Sequence, residues 1–213
     1  FSGVAVRDDE TGVTVYSALP GGHSGNYSDN SVSALELHDA APAWTTLLAA
    51  SDTTGTNLGT GGGGSGADIV MASDGHPVPR HTYTDIFWEP ELGRVMVGGE
   101  AAGFNSEGST VDHFGYDPVA NDWDAQGTWT NRPNYRAQAF VRDPVSGKRY
   151  AFYDTGTARQ FYEWNPAATP SPTWTARTAT GGSDYRNRGA YAWDSTRSRV
   201  YHLSGGGWFT QAS

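Results

Sequence analysis

The sequence predicts an all-β chain, and three observations carry that expectation. Helical periodicity is absent, while Val, Thr, Tyr, Phe and Trp gather in short runs bounded by Gly, Pro, Asp and Asn, the pattern of strands separated by turns. A segment made of an apolar strand, an acidic turn and a second apolar strand recurs four times along the 213 residues. Aromatic residues make up 13% of the chain and charged residues only 17%, which supplies a core and argues against a disordered or coiled-coil chain.

The recurring segments are Val4–Tyr16, Asp85–Val97, Ala139–Phe152 and Ala190–Leu203. Each reads as a β-hairpin: Asp or Glu, often followed by Pro, opens the turn, and Gly closes it, with Ser198 in that place in the fourth copy. The apolar run Arg94-Val-Met-Val97 stops at Gly98-Gly99, and glycines follow the other second strands at Gly21-Gly22, Gly156 and Gly205-Gly206-Gly207. Paired glycines let the backbone turn sharply, so they end the second strand and free the chain to loop to a third. Val95, Met96 and Val97 are then expected to pack between units. Third strands are expected at Ser33–Leu37, Asp112–Tyr116 and Gln160–Trp164, and Trp44, Trp123 and Trp174 mark fourth strands.

The spacing makes this a repeat. From turn glycine to tryptophan the intervals are 32, 30 and 27 residues, and from tryptophan to the next turn they are 49, 24 and 24. The long interval contains Thr60-Gly-Gly-Gly-Gly-Ser-Gly66, an insertion across 51–78. Without it the period is about 50 residues with four strands per unit, which reads as propeller blades. The expected organisation is a first blade at 1–50, the Gly-rich insertion at 51–78, a second blade at 79–130, a third at 131–180 and the first half of a fourth at 181–213.

The second unit resembles a kelch repeat in Pro79-Arg80-His81 leading its inner strand, the Gly98-Gly99 pair, Tyr116-Asp117-Pro118 and Trp123. The resemblance, to the kelch and galactose-oxidase superfamily, extends over nearly the whole chain in more degenerate form. It implies a β-propeller of four-stranded antiparallel blades, about three and a half of them present, and no particular chemistry. A ring of that size does not close. The sequence therefore predicts further blades on a longer chain, or closure by another subunit.

Charge and composition narrow the partners. The net charge is −9 and Lys148 is the sole lysine, so the concentrated basic face that phosphate binding needs is missing and no nucleic-acid partner is expected. Arginine in place of lysine, with much Ala and Gly, suggests a GC-rich bacterial or phage genome. No apolar stretch has the length of a membrane span. Cysteine is absent, which removes disulfides, thiolate nucleophiles and the Tyr–Cys crosslink of galactose-oxidase-like copper sites. Gly61-x-Gly63-x-x-Gly66 lacks the strand–turn–helix context of a dinucleotide fingerprint. Asp122-Trp-Asp124 is too short for a calcium loop, no G-x-S-x-G elbow occurs, and sialidase boxes are absent. Asn26-Tyr27-Ser28 is a glycosylation sequon, meaningful only in a eukaryotic secretory protein.

In a kelch-like propeller, the loops between second and third strands and the connections between blades gather around one channel mouth. Here they include His23–Asp29, Glu100–Ser109, 51–78, Pro79–Tyr83, Asn131–Arg136 and Asp184–Arg188. Arg80, Arg132, Arg136, Arg186 and Arg188 concentrate there beside Tyr83, Tyr135 and Tyr185. Arginine forks grip carboxylates, and aromatic faces stack on sugar rings or cations. The candidate ligand-binding residues are Arg80, His81, Tyr83, Tyr135, Arg136, Tyr185, Arg186, Arg188 and His23; the competing reading pairs these arginines with acids on neighbouring blades. His23, His76 and His81 lie on converging loops, but no tight histidine spacing supports a metal site, so no metal or cofactor is expected. His38, His113 and His202 read as structural.

The function expected first is non-enzymatic recognition of a glycan, such as an anionic polysaccharide, or of a protein partner, outside the cell or on a cell surface or virion. The first alternative is a carbohydrate-active lyase, hydrolase or epimerase at the same mouth, with His81 or Tyr135 moving the proton and Arg136 and Arg188 neutralising a carboxylate. The second is a structural part of a large complex, with the open blade flank as its contact surface.

Overall fold

The structure is a computed structural model that describes residues 3–20, 29–51, 71–72, 74–82, 85–98, 100–101, 113–129, 137–154, 159–168, 172–177 and 189–204. Its regular elements are all β-strands, paired antiparallel. The chain forms two compact units, Phe1–Thr130 and Asn131–Ser213.

In the first unit, β1 (Ala5–Asp9), β2 (Gly12–Ala18), β3 (Val32–Glu36) and β4 (Trp44–Leu48) form one sheet in sequence order. Farther along, β5 (Arg80–His81) pairs with β8 (Glu100–Ala101) as a short ribbon, and between them β6 (Ile86–Glu89) and β7 (Arg94–Val97) form a hairpin. Adding β9 (Phe114–Asp117) and β10 (Asp122–Trp123) completes a second four-stranded sheet in the order β6-β7-β9-β10.

Alternation explains the packing. Thr14, Tyr16 and Ala18 on β2 are buried while Val13, Val15 and Ser17 between them are not, as a strand with one covered face requires. Tyr16 and Ala18 join Val32 and Ala34 in a core with Ile86, Val95, Val97, Phe114, Tyr116 and Trp123 of the second sheet. Val95, Met96 and Val97 are all fully buried, so β7 is covered on both faces. Tyr16 stacks on Trp88 at 6.0 Å between ring centres, and the Arg7 guanidinium lies 5.9 Å from the centre of the same indole.

The two sheets meet front to back. Leu37 N–H donates to the Val13 carbonyl at 2.8 Å. Val13 therefore aims its backbone polar groups at β3, and Thr14 and Tyr16 aim theirs at β1. Gly98 N–H donates to the Asp85 carbonyl at 2.8 Å. Gly98 and Met96 thus face β6, and Val95 and Val97 aim at β9. For L-residues in an antiparallel sheet, the direction of the backbone groups fixes the face of the side chain. The core residues of β2 and β7, each the second strand of its sheet, therefore lie on opposite faces. The first strands β1 and β6 lie beside each other.

The second unit contains β11 (Ala137–Arg142), β12 (Arg149–Asp154), β13 (Arg159–Trp164) and β14 (Trp174–Arg177) in one sheet, and β15 (Gly189–Asp194) with β16 (Arg199–Ser204) in another. Again the first strands, β11 and β15, lie beside each other. Again a second-strand tyrosine stacks on a first-strand tryptophan: Tyr150 and Trp193 are 5.4 Å apart and within 6° of parallel.

The hairpin turns follow the expected chemistry. Asp143 and Asp194 accept backbone N–H bonds from Val145 and from Thr196 and Arg197, the short-range bonding that makes Asp a turn opener. Gly93, Gly147 and Ser198 close their turns in the left-handed region, at φ of 62°, 72° and 51°. Gly12 differs: it sits inside β2 opposite Asp9, at φ 127°.

Candidate functional site

The sequence places the end of β7 at Gly98-Gly99 because glycine frees the chain. The structure adds a specific reason at Gly98. A Cβ there would run into the carboxylate of Asp85. That carboxylate accepts a hydrogen bond from His113 Nε2 at 2.9 Å, with side-chain exposures of 2% for Asp85 and 3% for His113. Phe87 meets the His113 ring edge-on at 5.6 Å. The histidine expected to be structural is thus paired inside the fold, and the partner, Asp85, is the one sequence reasoning does not supply. Its signal was present as the single acid at the start of a hairpin copy, across the strand pair from Gly98.

Along both arms of the hairpin, Asp85 and Gly98 stand between β6–β7 and the β5–β8 ribbon. Between ribbon and hairpin, Thr82–Asp85 lies on one arm and Gly98-Gly99 on the other, so the register shifts by two residues. A turn closed by Asp85 N–H to the Thr82 carbonyl at 2.5 Å takes up the difference. Pro79-Arg80-His81 was expected to lead the inner strand, which is β6, and the segment does precede it in the chain. Arg80 and His81 form the short strand β5, with His81 opposite Glu100 and Arg80 opposite Ala101.

The segment before the ribbon is pinned. Pro77, Val78, Pro79 and Thr82 are buried. Asn30, also buried, donates through Nδ2 to the Pro77 carbonyl at 3.0 Å and to Ser51 Oγ at 2.6 Å, and its Oδ1 accepts Ser51 N–H at 2.7 Å. Thr82 Oγ1 accepts the Gly3 N–H at 2.8 Å. The segment carrying Arg80 and His81 is therefore tied to the first sheet as well as the second.

A second polar group lies alongside. His76 Nδ1 is 3.3 Å from Asp74, its Nε2 is 3.7 Å from Asp122, and Ser51 Oγ is 3.5 Å from Nδ1. Serine, histidine and aspartate together suggest a nucleophile, but the bonding is wrong for one. Ser51 Oγ already accepts from Asn30, and its contact with His76 exceeds the roughly 2.6–3.2 Å reach of an activating base. For Asp74, burial would raise the carboxyl, yet the hydrogen bonds from Ser51 and from His76 N–H hold it below the usual carboxylate range. The group works as an anchor for the 74–82 segment. Among the described residues, no three His, Asp or Glu side chains are placed to hold a metal ion, and no helix is long and apolar enough to cross a membrane.

Of the residues predicted to bind ligand, the structure places the backbones of Arg80 and His81. Tyr83, Tyr135, Arg136, Tyr185, Arg186, Arg188 and His23 lie outside the described residues, as do Arg132 and most of the 51–78 insertion. No family model, curated protein or solved structure matches this chain.

Proposed function

We propose that the chain builds kelch-like propeller blades and acts in recognition, binding an anionic glycan or a protein partner through the connections that include Arg80 and His81. The observation that carries the reading is the pinned 74–82 segment. A connection rich in chemistry-bearing side chains is held on a rigid frame by Asn30, Thr82 and the β5–β8 ribbon, the usual arrangement of a binding loop. The blade reading is supported by the front-to-back sheets and by the tyrosine–tryptophan stack repeated in both units. Arginine is the side chain suited to a uronate or sialate carboxylate, which it grips with two parallel bonds. Recognition of this kind fits a protein acting outside the cell or on the surface of a particle.

An array of acidic and neutral glycans tests the reading. Acidic oligosaccharides should bind and neutral ones should not. Arg80→Ala and Arg136→Ala should each weaken binding by roughly 10- to 100-fold, the worth of a charged hydrogen bond. An array with no binder, together with a pull-down that captures no partner, would overturn it.

A further inference from the structure

Among the described residues, two sheet faces carry exposed apolar side chains. On the first sheet, the face turned away from the Tyr16 core carries one apolar row across all four strands: Val6, Val15, Leu35 and Trp44, in register. Val6 is 51% exposed and Trp44 52%, with Val4 and Leu37 exposed beside them. Contiguous apolar surface of this kind marks an interaction site. On the two-stranded sheet, Trp193 faces Tyr150, so Ala192 and Tyr201, one register position away, face the other side. Tyr201 is 48% exposed.

We propose that these two faces dock in a second copy of the chain, the β15–β16 face of one molecule on the Val6–Trp44 face of the next. Three observations choose this occupant. In the first unit, sheet contacts sheet front to back, with a second-strand tyrosine on the core face, and the second unit repeats the tyrosine–tryptophan stack. Tyr201 is a second-strand tyrosine that is 48% exposed and stacks on no tryptophan among the described residues, and the Val6 face is turned away from the second sheet. The charges also match. Asp8 lies on the Val6 face next to the β1–β2 turn, and Arg199 lies on the Tyr201 face next to the β15–β16 turn, opposite Asp194, whose carboxylate is held by Arg197 at 2.8 Å; Asp8 and Arg199 are both exposed. In the first unit the starts of β1 and β6 lie together, joined through Gly3 and Thr82, so the turns share an end. The same stacking between copies brings Arg199 level with Asp8, and Tyr201 level with Val6 and Val15. The contact is heterologous, so it yields rings or open chains rather than a two-fold dimer. It does not depend on the identity of any ligand.

Light scattering of the purified 213-residue chain over a range of concentrations tests this. The mass should rise above 22.8 kDa with concentration. Val6→Arg and Tyr201→Arg should each weaken association roughly tenfold or more, as loss of a central apolar contact does. Mixed in equal amounts, those two variants should form a heterodimer that grows no further, because one intact face remains on each. Asp8→Arg alone should weaken association severalfold, and adding Arg199→Asp to the same chain should restore it, which separates a lost contact from a lost fold. A parent chain that stays at 22.8 kDa at every concentration would overturn the proposal, as would single variants that associate normally.

Discussion

Gly98 shows how much one missing methyl group decides. The sequence announces a strand end there, but the need is set by Asp85, whose carboxylate occupies the space a Cβ would take. Gly98→Ala should therefore destabilise the first unit by about 1–3 kcal/mol, the range for overpacking, read as a lower urea midpoint at unchanged slope. The Asp85–His113 pair was half legible, since burial of His113 follows from its place beside a strand but its partner comes from a strand pairing that no local pattern encodes. Glu163 makes a different residue-level prediction. Burial would raise its carboxyl, but hydrogen bonds from Arg177 at 2.8 Å and Lys148 at 2.9 Å outweigh that, leaving its pKa below the ordinary value. A lowered folded-state pKa adds stability that is fully present above the unfolded carboxylate range, about 4.3. That stability is lost as pH falls through the folded value. Glu163→Gln should thus lower stability at pH 7 and flatten its decline in acid, measured by urea titrations of wild type and variant from pH 7 to pH 3.

At the scale of elements, hairpins were the most legible feature, because turn openers, closing glycines and apolar alternation are all local. Ser198 was read as standing where the other copies place glycine, and its φ of 51° matches Gly93 and Gly147. Left-handed backbone costs an L-residue roughly 1–2 kcal/mol, so Ser198→Gly should raise the unfolding midpoint of the second unit; a lowered midpoint would show that the serine side chain contributes more than its backbone costs. The first turn was less legible. Gly12 aligns with the others in sequence but pairs within β2, because its loop is shorter. The stacked pair Tyr150 and Trp193 was hidden, since it joins strands of different sheets. A double-mutant cycle with Tyr150→Leu and Trp193→Leu should give a coupling of about 0.5–1.5 kcal/mol, as for other aromatic pairs; additive effects would mean the rings only fill space.

For the whole molecule, the period of about 50 residues was readable because each unit repeats the same local signals. The β5–β8 ribbon was not, being two residues per strand with no apolar alternation. Of the residues expected to bind ligand, only the backbones of Arg80 and His81 are described; the network that fixes their segment, Asn30 with Ser51 and Pro77, joins residues far apart in sequence and could not be read locally. The proposed function requires this fixed connection to present arginine to an anionic ligand. Calorimetric titration of the intact protein with a uronate oligosaccharide, beside its neutral counterpart, tests that most directly. Heat and saturation are expected with the uronate alone, weakened roughly 10- to 100-fold by Arg80→Ala with an unchanged unfolding midpoint. Equal binding of the neutral sugar, or uronate binding untouched by Arg80→Ala, would contradict it.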